Sequence, residues 1–156
     1  MKGGFATNLR RYSSEIQKGK VGCYPKAYAQ DCITPDSMGK VGGTILVDGP
    51  KDGDHAVYLF GPEIISFTDT IDIIAKVLGK PVEKVTISRE EAVQQQINAG
   101  VPPPLAERLI QYCDDAAGFD TAKHLFGPGV GNVQRYTGQP SLGFEEWVSE
   151  NKDLFE

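Results

Sequence analysis

Residues 61–88 read GPEIISFTDTIDIIAKVLGKPVEKVTIS, and their pattern decides the fold class. Ser66 followed by Asp69 signals a helix start, with the Asp standing in for the Glu of a capping box. Phe67, Ile71, Ile74 and Leu78 then recur at the spacing of one α-helical face. Gly79 supplies the left-handed stop and Pro81 prevents continuation. Residues 83–88, EKVTIS, read as a strand, and Ser88 with Glu91 repeats the capping signal for a helix running to Gly100. Capped helices separated by a short strand describe a mixed α/β chain.

Working outward, AVYLFG at 56–61 is the best strand upstream. In TPDSMGKVGGTILVDG, residues 34–49, Asp36 or Ser37 is the expected N-cap, with Met38, Val41 and Ile45 on one face. Gly42 and Gly43 weaken that helix and point to close packing against another element. KVGCYP (20–25) and QDCIT (30–34) read as short strands joined through KAYA, and Phe5 to Lys18 reads as a helix carrying Leu9, Tyr12 and Ile16. Downstream, VPPPLAERLIQYCDDAAGF (101–119) has prolines at first-turn positions and Leu105, Leu109, Tyr112, Cys113 and Ala116 on one face. FEEWVSENK (144–152) is a closing helix with Phe144, Trp147 and Val148 turned inward. The glycines of GPGVGN, Gly127, Gly129 and Gly131, suggest a phosphate cradle, but with no strand before and no clear helix after, the segment reads as a loop.

The 156 residues fit a single domain, 1–156, and suffice to bury a core. A net charge of −5 argues against a nucleic-acid partner, which would demand a basic surface. No apolar run approaches the ~20 residues of a membrane span, and the first residues carry no apolar signal region, so a cytoplasmic setting without membrane contact is expected. Cys23, Cys32 and Cys113 form no CxxC pair and show no adjacent base. Structural zinc and a thiolate nucleophile are therefore not expected.

Residues 61–88, together with RYTGQPSLGFEEWVSENKDLF (135–155) and INAGVPPPLAERL (97–109), resemble the C-terminal part of the NmrA-like atypical short-chain dehydrogenase/reductases, in particular the fungal festuclavine and agroclavine dehydrogenase branch. The resemblance covers nearly the whole chain and implies a truncated Rossmann-type region of few short strands with about five or six helices. It also implies that the opening MKGGFATNLRR falls where the nucleotide-binding half ends, since Gly3, Gly4, Phe5 and Asn8 match a Gly-Phe-x-x-Asn segment after a late sheet strand. The phosphate loop and acidic ribose residue would then lie upstream, and no cofactor is expected on these residues.

By the same resemblance, Phe5 and Asn8 fall at the junction of cofactor and substrate. Tyr24 and Tyr28, with Tyr58 and Tyr112, offer aromatic walls with phenol handles for a small, mostly apolar ligand. His124, with Asp115 and Tyr112, is the expected catalytic acid–base set, against the plain alternative of a surface histidine; His55 reads as a solvated loop residue. Asp114 and Asp115, late on a helix, oppose its dipole and call for a local reason. The leading expectation is a cofactor-independent isomerase, cyclase or proton-transfer enzyme of secondary metabolism. The alternatives are a non-catalytic pseudo-reductase that binds a metabolite or a partner chain, and half of a split NAD(P)-dependent reductase. A homodimer is expected, covering the strand edge at Val57–Phe60 and the apolar faces Leu9–Ile16 and Met38–Ile45.

Overall fold

The computed structural model describes residues 5–24, 28–115 and 123–156, with the side chains of Asp115 and Lys123 left aside. Gly3, Gly4, the first half of KAYA and Ala116 lie outside the described residues.

The chain is mixed α/β, as its pattern predicts. A 3-10 turn, Ala6–Tyr12, runs directly into α1, Ser13–Gln17. The expected single helix is thus split, and the tighter first part eclipses residues three apart. Strand β1, Lys20–Cys23, pairs in parallel with β4, Glu83–Thr86, in the register Lys20↔Glu83 to Cys23↔Thr86. Strand β2, Ala29–Gln30, pairs antiparallel with β3, Ile65–Ser66. Cys32 adopts a left-handed φ of 48°, so QDCIT does not continue as a strand; beyond it Ile33 makes only a parallel bridge to Phe5.

The two capping patterns hold. Ser66 Oγ accepts from the Asp69 N–H at 3.1 Å and starts α3, Phe67–Leu78, which Gly79 closes in the left-handed conformation. Ser88 and Glu91 form a reciprocal capping box at the start of α4, Arg89–Asn98. The start of α2, Pro35–Asp48, differs from expectation: its cap is Thr34, whose side chain accepts from the Ser37 N–H at 3.2 Å. Pro35 explains the shift, because it holds Thr34 extended and suits the first helical position itself. Gly42 and Gly43 do not mark close packing, since a Cβ at either would meet nothing within 4 Å.

Helix α5, Pro103–Asp115, is followed by α6, Lys123–Val130, α7, Asn132–Thr137, and α8, Phe144–Glu150. The expected loop at GPGVGN is therefore helical. The expected strand at 56–61 is absent: these residues join no sheet and pack on α6 and α7 instead. The Asn132 amide donates to the Tyr58 carbonyl at 2.9 Å, and Phe60 meets Phe126 edge-on with ring centroids 5.6 Å apart. Val57 and Leu59 pack against a small α2–α7 core of Val41, Val133 and Tyr136. With apolar partners supplied by helices, alternation alone did not make a strand.

The main core joins Leu9, Ile16 and Val21 to the α3 stripe Phe67, Ile71 and Ile74 and to Phe144, Trp147 and Val148 of α8. Leu9 and Ile16 are therefore buried within the chain itself. A second cluster joins Ala92 and Val93 of α4 to Ala106 and Ile110 of α5. The buried face of α5 is thus rotated from the predicted one: Leu105 is 50% exposed and Tyr112 40% exposed. No helix among the described residues is long and apolar enough to cross a membrane.

Candidate ligand pocket

A cavity of about 310 Å³ opens between the main core and the α4–α5 cluster. Its floor is apolar, made by Leu9, Phe67, Leu109 and Ile110. Its polar groups come from the 3-10 turn, the β1–β2 connection, Gln30 of β2, Gln96 of α4, and α5. The turn's geometry sorts its own residues. With a three-residue repeat, Ala6, Leu9 and Tyr12 fall in one row, and Phe5, Asn8 and Arg11 in the next. Leu9 and Tyr12 reach the cavity from the first row, Asn8 and Arg11 from the second.

Tyr12 packs on Phe67 with ring centroids 4.8 Å apart. Its phenol oxygen accepts from the amide of Gln96 at 3.1 Å, and the Gln96 carbonyl accepts from Arg11 Nη1 at 2.9 Å. Gln96 is 2% exposed, so these bonds fix which way its amide faces. Because Tyr12 accepts there, its own proton is left for another acceptor. Burial pushes the Tyr12 phenol up to about 12, with the Gln96 hydrogen bond pulling weakly the other way. Burial also raises the Tyr28 phenol above its ordinary range. Both therefore stay protonated at neutral pH and serve as hydrogen-bond donors rather than bases.

Asn8, Tyr24, Tyr28 and Tyr112 all line this cavity. The Asn8 side chain makes no hydrogen bond to the described residues. Tyr24 is a wall with its proton already committed: the hydroxyl donates to Asp114 Oδ1 at 2.6 Å, which raises its pKa. Asp114 also accepts from Arg89 Nε at 3.1 Å. That pairing is the local reason for a carboxylate at the end of α5, since it ties α5 to the start of α4. Phe5 is half-buried at the Ile33 bridge and does not line the cavity.

Tyr112 is on the cavity wall, whereas His124 is exposed on α6 and not among the lining residues; the Asp115 side chain lies outside the described residues. Cys113 lines the cavity, but burial pushes its thiol up to about 11, against nucleophilic use. Arg11, Tyr12, Gln30 and Gln96 are polar pocket groups that sequence reasoning missed. The i, i+3 relation of Asn8 to Arg11 was the available signal, since residues three apart share a face in a 3-10 turn or an α-helix alike.

The described residues do not fit a dinucleotide pyrophosphate. Their one strand–turn–helix of parallel type runs from β4 into α4, and its helix N-terminus is taken by Ser88 and the Glu91 carboxylate, with Glu90 beside it. Those charges repel phosphate where a cradle would attract it. At GPGVGN, a Cβ on Gly129 would come within 2.7 Å of the Phe60 ring, so that glycine serves packing.

Festuclavine dehydrogenase easG of Aspergillus fumigatus is 24% identical over 124 residues, covering 77% of this chain and 40% of that protein. The uncharacterized oxidoreductase YesF of Bacillus subtilis is 28% identical over 117 residues, covering 75% and 39%. The homologues are NmrA-like oxidoreductases. This chain spans about two fifths of the length of these curated relatives, consistent with the C-terminal part of that family. No protein-family model matches it. Among solved structures, the Citrobacter sp. triphenylmethane reductase complexed with NADP(H) superposes with a TM-score of 0.71 at 18% identity, over 96% of this chain and 51% of that one. The NADPH-dependent quinone oxidoreductase QOR2 of Escherichia coli gives 0.72 at 18%, over 96% and 53%. The fold is therefore that of about half of a Rossmann-like reductase.

Proposed function

We propose that these residues form the substrate-holding part of an NAD(P)-dependent reductase, with the nucleotide held by polypeptide outside them, on the same chain or a companion. The observation that carries this reading is the cavity itself. Two phenols kept protonated by burial, and the Asn8 amide, which makes no hydrogen bond to the described residues, line it together with the apolar Leu9, Phe67, Leu109 and Ile110. Such a site suits a small, mostly apolar molecule with an oxygen acceptor. Among the similar proteins, quinone oxidoreductase is named for a substrate of that character, and triphenylmethane reductase for a largely apolar one. The residues here bind and orient that molecule; hydrogen bonds from Tyr12 and Tyr28 would polarise a carbonyl toward reduction. A cofactor-independent isomerase or cyclase has less support, because His124 is not on the cavity wall. A cytoplasmic location belongs to the same proposal.

Menadione, a neutral bicyclic quinone, tests the pocket. Calorimetric titration is expected to show saturable binding to the chain, weakened at least about ten-fold by Leu109→Trp, which fills the cavity. Equal affinity for both proteins would remove the reading. The 156 residues alone are expected to bind NADPH and NADH negligibly, and tight saturable binding of either would contradict the placement of the nucleotide elsewhere.

A further inference from the structure

Arg11 is half-buried in the cavity wall, and the only hydrogen bond of its guanidinium to the described residues is the one from Nη1 to the Gln96 carbonyl. No carboxylate among them lies within 4.0 Å of its guanidinium, whereas Arg89 and Arg135 each meet two. Glu15 and Asp114, the carboxylates on adjoining elements, are engaged elsewhere: Glu15 with the Gly22 N–H and the Gln95 amide, Asp114 with Tyr24 and Arg89. A guanidinium partly withdrawn from water is compensated by an anion or by strong acceptors. Here the Gln96 carbonyl is a neutral acceptor that uses one of its five N–H donors and holds the fork in place. The same Gln96 directs the Tyr12 proton away from itself, so a charged donor and a neutral donor are fixed side by side in the cavity lining, which also includes the apolar Leu9, Phe67, Leu109 and Ile110.

We infer that the ligand of this cavity carries a carboxylate, or an equivalent anionic oxygen group, on its apolar ring system, and that Arg11 recognises it with Tyr12 as the second donor. The inference rests on the cavity being a substrate site and narrows the substrate class to apolar ring acids. Gln96 is the positioning residue: it touches Arg11 and Tyr12 and sets the direction of both.

The test compares 2-naphthoate with the neutral, nearly isosteric 2-naphthamide, titrated calorimetrically at pH 7 onto the full chain. The wild type is expected to prefer the acid at least about ten-fold, the scale of charge-assisted hydrogen bonding. Added salt should reduce this preference. Arg11→Gln should abolish it, while Arg11→Lys, which keeps the charge, should restore part of it. Equal affinity of the wild type for both probes, or an Arg11→Gln variant that still prefers the acid, overturns the inference. Menadione separates the two levels. If menadione binds while the acid has no advantage, Arg11 has been misassigned and the pocket stands. If none of the three probes binds, both readings fall.

Discussion

Gly61 opens the stretch that decides the fold, and replacing it with alanine tests how tightly that stretch is fixed. A Cβ built there would lie 1.8 Å from the Asp31 carbonyl oxygen and 2.9 Å from its carbon, where real contacts are essentially never under 3.0 Å. The obstacle is backbone, so no side-chain rotation relieves it. The Gly61 N–H also donates to Asp31 Oδ2 at 2.9 Å, with Asp31 only 1% exposed. Moving the two segments apart by more than an ångström would break that bond. Overpacking of this kind costs about 1–3 kcal/mol, and a hydrogen bond to a charged group is worth about 1.5–3 kcal/mol. Gly61→Ala should therefore destabilise by about 3–5 kcal/mol, a large share of the 5–15 kcal/mol typical of a domain. Gly42→Ala is the control, because its Cβ would meet nothing within 4 Å on the exposed side of α2. That variant should be more stable by about 0.5–1 kcal/mol from backbone entropy alone. Guanidinium unfolding monitored by circular dichroism measures both. A Gly61→Ala midpoint within about 0.5 kcal/mol of wild type, with unchanged m, would refute the clash and the packing of Gly61 on Asp31.

Other expectations follow from the same structure. Ser66→Ala and Ser88→Ala should each destabilise by about 1 kcal/mol, and wild-type midpoints for both would show that the caps are not contributing. Alkaline pH should destabilise the fold: Tyr12 ionises near 12 when folded but near 10.0 when unfolded, so above about pH 10 the unfolded state releases a proton that the folded state keeps. Stability is unaffected by this group below that pH and falls as pH rises through the window; Tyr12→Phe should flatten the loss, and an unchanged profile would count against burial of the phenol. A homodimer remains the proposed state. All three of its expected grounds are corrected: Leu9 and Ile16 are buried, 56–61 is no strand, and on the Met38–Ile45 face Val41 is buried and Ile45 packs against the same α2–α7 core. The ground for the proposal is instead another part of α2, where Leu46 is 88% and Val47 83% exposed. Light scattering that gives 16.9 kDa at micromolar concentration would rule the dimer out.

What the sequence determined by itself was local. Ser66, Ser88, Gly79 and the Phe67–Ile74 stripe act through bonds and periodicity within a few residues, so α3, β4 and α4 could be read directly. Tyr24, Tyr28 and Tyr112 could be nominated as pocket residues from their chemistry and Asn8 from the family resemblance, and the structure brings those four to one cavity. Only the tertiary structure decided which partner each apolar face takes. The α5 helix has two apolar stripes, and docking on α4 buries Ala106 and Ile110, which leaves Leu109 and Tyr112 to the cavity. Residues 56–61 alternate like a strand, yet α6 and α7 supply their contacts. The pairing of Arg11 with Gln96 spans a sequence separation of 85 and is set by packing of the 3-10 turn against α4. Periodicity fixes the direction of a side chain relative to its own backbone, but what it meets depends on where the rest of the chain is placed.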